Sequence, residues 1–70
     1  MEDKLKVYLA MDYALKCSTI VSEQIGLLLK AVSEDQPTTQ TRRDLHDAVL
    51  DMRLATADVD AFVRLMEAAK

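Results

Sequence analysis

Seventy residues make one small domain at most. The net charge of −3 speaks against nucleic-acid binding by bulk charge, and no apolar run approaches the roughly 18 residues of a membrane-spanning helix. Hydrophobic residues form 50% of the chain, with one glycine and one proline, a balance that favours helix over sheet.

The opening Met1-Glu2-Asp3-Lys4 is acidic where a secretory signal is basic. Cys17 is the one cysteine, so an internal disulfide is impossible, which fits a reducing compartment. A soluble, cytoplasmic protein is expected. A single core in so short a chain supplies only about 3–5 kcal/mol. Disulfides, metals or oligomerisation usually make up the deficit. No zinc-type cysteine–histidine spacing occurs, which leaves self-association.

The first predicted element is a helix over about residues 3–34. Its apolar 4–3 spacing runs through Val7, Met11, Ala14, Ser18, Val21, Ile25, Leu28 and Val32. A second seam carries Leu9, Tyr13, Ile20, Leu27 and Ala31, and Ala10 and Cys17 fill the gap between the two. Only a strip with Asp12, Lys16, Thr19, Glu23 and Lys30 is polar. One partner helix cannot cover so broad an apolar face. A homodimer built on this helix is expected, with Leu9, Tyr13, Cys17, Ile20 and Leu27 at its interface, giving a four-helix bundle. Gly26 lies inside the helix at a cost of about 1 kcal/mol, which a close helix approach would explain.

A turn over about residues 35–40 follows, centred on Pro37, which cannot continue a helix and restricts the residue before it. The second helix is predicted over about residues 41–69. Thr41 with Asp44 forms a variant capping box; alternatively Pro37 lies in the first turn of a longer helix. The inner seam here is Leu45, Val49, Met52, Thr56, Val59, Val63 and Met66. Folding at Pro37 brings residues whose numbers sum to about 74 to one level, which sets Ser18 near Thr56. The two hydroxyls then either satisfy each other or bond back to their own helices. The expected fold is therefore all-α: an antiparallel two-helix hairpin that dimerises into a four-helix bundle.

An outer seam of Leu50, Leu54, Ala57, Ala61, Leu65 and Ala68 lies almost opposite the inner one. Leucines exposed in one patch mark a partner site, so Leu50, Leu54 and Leu65 are candidate anchors. Asp44, Asp47, Asp51 and Asp58 flank them in a narrow arc. Asp47, Asp51 and Asp58 are read as a steering surface for a basic partner, because the Glu-x-x-His pairs of metal-binding bundles do not occur. Arg42 and Arg43 stand where the helix dipole disfavours cations; Glu34 and Asp35 across the turn, and Asp47 one turn on, are expected to compensate. Asp60 and Arg64 form an ordinary pair of the same spacing.

No nucleophile–base constellation, phosphate loop or oxyanion arrangement is visible, so no catalysis, cofactor or metal is expected. The favoured expectation is a small protein-binding module, a dimeric regulator or inhibitor. Its shortness and starting methionine suit a free-standing inhibitor or adaptor, and its size alone suits a phage-encoded protein acting on a host protein.

The stretch Leu45-His46-Asp47-Ala48 followed by Arg53 resembles part of the second helix of the plasmid Rop family, dimers of helical hairpins. The resemblance covers under a fifth of the chain and implies RNA contact through a cationic face of helix 1. Here Lys4, Lys6, Lys16 and Lys30 are offset by Glu2, Asp3, Asp12, Glu23 and Glu34. A third reading is a structural subunit whose outer seam binds further copies of the chain.

Overall fold

No proline interrupts the chain from the N-terminus to Ser33, or from Thr39 onward, and Gly26 is the one glycine in either stretch. Each stretch forms one continuous helix, α1 over Glu2–Ser33 and α2 over Thr39–Ala68. The computed structural model describes residues 2–69, with side chains from Lys4 onward. Met1 and Lys70, the outer limits of the expected single domain, lie outside the described residues. The described residues contain two helices and no strand, packed as an antiparallel hairpin.

The turn is tighter than expected, and its chemistry differs. α1 ends in a Schellman motif: Gln36 N–H donates to the Ala31 carbonyl at 2.8 Å and Asp35 N–H to the Val32 carbonyl at 3.3 Å. The motif needs a left-handed residue, normally glycine, and Asp35 fills that place at φ 54°. Pro37 then stands just outside α2. The cap residue is Thr38, not Thr41; its carbonyl accepts from Arg42 N–H at 2.9 Å, but its side chain makes no capping bond. The expected capping box is absent because α2 already begins at Thr39, which leaves Thr41 half-buried within its first turn rather than at its cap.

The helices meet along a line rotated by one heptad position from the expected seam. On α1 the residues turned inward are Val7, Ala10, Ala14, Cys17, Val21, Gln24, Leu28 and Ala31. On α2 they are Thr41, Leu45, Ala48, Met52, Ala55, Val59, Phe62 and Met66. Most of each expected seam is therefore in place, with Ser18, Val49 and Val63 half-buried at its edge. Met11, Ile25 and Val32 on α1 and Thr56 on α2 are exposed instead, and Ala10, Cys17, Gln24, Ala31, Ala48, Ala55 and Phe62 join the contact.

Small side chains explain the rotation. Cys17 on α1 and Ala48 and Ala55 on α2 are small residues near the middle of the contact line, and all three are buried. The closest packing lies there: Ala55 is 2% exposed and Cys17 5%. Ser18 and Thr56 line one groove but make no mutual hydrogen bond: the Thr56 hydroxyl donates to its own helix, to the Met52 carbonyl at 2.8 Å, the second of the two expected arrangements.

The hairpin is thin. Its Cα radius of gyration is 16.0 Å, against about 11 Å for a globular chain of this length. Among the described residues only Val7, Cys17, Ala48 and Ala55 are buried, and none of them completely. Compact monomers of 7.9 kDa expose about 4,400 Å² by mass scaling; this chain exposes 5627 Å².

Candidate interaction surfaces

Because α1 and α2 touch along one line, each side of the hairpin is a long groove. The first groove is lined by Met11, Ala14, Leu15 and Ser18 of α1 and Met52, Thr56 and Val59 of α2. Heptad spacing extends it along α1 through Ile25 and Val32, both exposed, and along α2 through the half-buried Val49 and Val63. Leu15 and, two heptads on, Leu29 stand at its outer edge and are exposed. From Met11 to Val32 and from Val49 to Val63 these groove positions carry no charge.

The second groove is apolar on one side and acidic on the other. Tyr13, Lys16, Cys17 and Ile20 line it from α1, and Ala48 and Asp51 from α2. Leu27 continues the α1 row one heptad beyond Ile20, and Asp44 and Asp58 continue the α2 row one heptad either side of Asp51. The neighbouring Cys17 thiol, one turn on, together with the Asp51 and Asp58 carboxylates raises the Tyr13 pKa above the ordinary 10.0. Asp44 accepts from Gln40 Nε2 at 2.9 Å.

A shallow recess opens at the start of α2, lined by Thr39, Arg42, Arg43, His46 and Asp47. Arg43 and Asp47 share it without forming the expected ion pair. Among the described residues the ion pairs are Lys16–Asp12 and Arg64–Asp60, both 3.0 Å and both exposed. Glu34 and Asp35 do not reach the arginines either. The described residues contain no group of three metal-ligating side chains and no helix long and apolar enough to cross a membrane.

The residues singled out from the sequence fall in different places. Tyr13, Ile20 and Leu27 are exposed along the second groove, and Leu9 is exposed one turn before Tyr13. Cys17 is removed from that set: it is buried between α1 and α2 and offers little surface to a second chain. Leu50, Leu54 and Leu65 are exposed on α2, Leu54 most at 68%. Asp51 lines the second groove and Asp47 the recess near the turn, one helical turn away on the same helix. Sequence reasoning placed Met11, Ile25 and Val32 inside the hairpin, yet they are exposed on its first groove. The signal that would have found this is the row of small residues Ala10, Cys17, Ala48 and Ala55, which lies inward on the two helices while the larger side chains beside it are exposed.

A comparison of the chain with protein-family models, characterised proteins and solved structures finds no match in any of them.

Proposed function

We propose that this chain is a small non-enzymatic protein-interaction module that works as a homodimer, two hairpins closing into a four-helix bundle, and binds a second protein as a regulator or inhibitor. One observation carries the reading. The chain exposes roughly 1,200 Å² more than a compact monomer of its mass, and fourteen large hydrophobic side chains contribute to that surface. A face of this kind is stable in water only when another surface covers it. Eleven of the fourteen lie on α1 and three, Leu50, Leu54 and Leu65, on α2, which supports self-association through α1 and partner binding through α2. The acidic residues near α2, Asp47, Asp51 and Asp58, favour a basic partner. The partner-binding residues are thus Leu50, Leu54 and Leu65 with these aspartates.

The test has two arms. Sedimentation equilibrium is expected to return twice the chain mass of 7.9 kDa. A pull-down from host lysate is expected to capture a partner whose retention falls with salt and is lost on Leu50→Asp with Leu54→Asp. If that variant stays folded by circular dichroism and keeps every partner, the α2 surface is wrong.

A further inference from the structure

We infer that two copies of the chain associate through the first groove, with the Ser18–Thr56 level as the central layer of the bundle. This rests on the homodimer reading and specifies its face, replacing the α1 row of Tyr13, Ile20 and Leu27 with Met11, Ser18, Ile25 and Val32.

Geometry carries it first. In a square four-helix bundle each helix points its apolar face at the bundle axis, about 45° away from the direction of either neighbour. The apolar seams of this sequence centre between Val7 and Met11 on α1 and between Leu45 and Val49 on α2. The hairpin contact centres between Val7 and Ala10, and between Leu45 and Ala48. On both helices the two directions differ by one heptad position, about 51° at 3.5 residues per turn. Both rotations turn toward the same side of the hairpin, since Met11, Ser18 and Thr56 line one groove. A lone two-helix hairpin has no use for that offset; half of a four-helix bundle requires it.

Charge carries it next. Pairing through the second groove would bury the row Asp44, Asp51 and Asp58 twice, once from each copy. Burying unpaired carboxylates is costly. The first groove holds methionine, isoleucine, valine, alanine and the two hydroxyl residues along its length.

The area also suffices. The whole hairpin measures 54 by 14 Å across this side, an outline of roughly 750 Å², so a dimer that uses its full length approaches the ~800 Å² per partner of a stable interface. An isologous dimer brings the same patch of each copy together. Ser18 stands at the midpoint of α1, so full overlap sets the Ser18–Thr56 level of one copy on that of the other. The Thr56 hydroxyl is already satisfied by its own helix, so it enters this layer without an orphaned donor.

The experiment compares matched substitutions by sedimentation equilibrium. Ile25 and Ile20 are the same residue on the same helix, 52% and 47% exposed, on opposite grooves. Ile25→Glu is expected to weaken the dimer at least 100-fold and Ile20→Glu less than threefold. The reverse pattern, equal effects, or no effect of either overturns the face assignment while a wild-type dimer leaves the homodimer reading standing. A folded wild-type monomer at every concentration overturns both. Should Ile25→Glu unfold the chain, the isosteric Thr56→Val decides. Replacing a hydroxyl by a methyl in the central layer is expected to tighten the dimer at least fivefold, and an unchanged constant overturns the proposal.

Discussion

Gly26 offers the cleanest stability test in the molecule. It lies well inside α1, on the strip facing away from α2. Its φ is not positive, and a Cβ built on it meets nothing within 4 Å. The close approach that its presence suggested is therefore not made by α2. Glycine in a helix interior is about 0.8–1.0 kcal/mol less favourable than alanine, chiefly because it leaves the unfolded chain freer. With no steric term to set against it, Gly26→Ala recovers about 1 kcal/mol. Unfolding entropy near 2.1 cal/mol/K per residue gives about 150 cal/mol/K for this chain, so the melting midpoint rises by about 7 °C. Far-UV circular dichroism at fixed concentration measures this directly. An unchanged or lowered midpoint would refute the reasoning and show that another chain packs against the back of α1, where the dimer face proposed above does not reach.

Three further outcomes are expected. Asp35→Asn keeps a residue that tolerates the left-handed position and removes a negative charge from the α1 C-terminus, which should stabilise by about 0.3–1 kcal/mol in urea denaturation. Gln24 turns inward with its Oε1 buried and unpaired, so Gln24→Leu should stabilise by about 1 kcal/mol, and a loss would mean that the amide has a partner in the assembly. Tyr13 should titrate above pH 10 by tyrosine ring-carbon NMR; Cys17→Ala should bring it down, and Asp51→Asn with Asp58→Asn should lower it as well, since both changes remove what disfavours the phenolate.

The hairpin was legible from the sequence because its signals are local. A proline beside a run of polar residues interrupts two long periodic stretches, and the helix ends fall within about two residues of expectation. The Schellman turn was not legible, because its usual marker is glycine and here aspartate takes the left-handed place. The cap was misplaced for a related reason: Thr38, Thr39 and Thr41 are chemically alike, and the turn geometry decides among them. Of the surfaces, the exposed α2 leucines could be read by spacing alone. The split of the aspartates between a groove and the turn recess could not, since it depends on which side of α2 meets α1.

The misassigned seam is the most informative of these differences. Hydrophobic spacing reports how much apolar surface a helix must bury in its final state, summed over every neighbour. It does not say which neighbour takes which residue. Val7, Ala14, Val21 and Leu28 serve the hairpin, whereas Met11, Ile25 and Val32, with the same spacing, are exposed on it. Were the isolated hairpin the working form, selection for solubility would favour polar residues at those exposed positions, as it does at Lys16, Glu23 and Lys30 on the polar strip. On the proposed dimer the exposed half of the seam is what the second copy covers, and polar substitution there should cost association before it costs the fold.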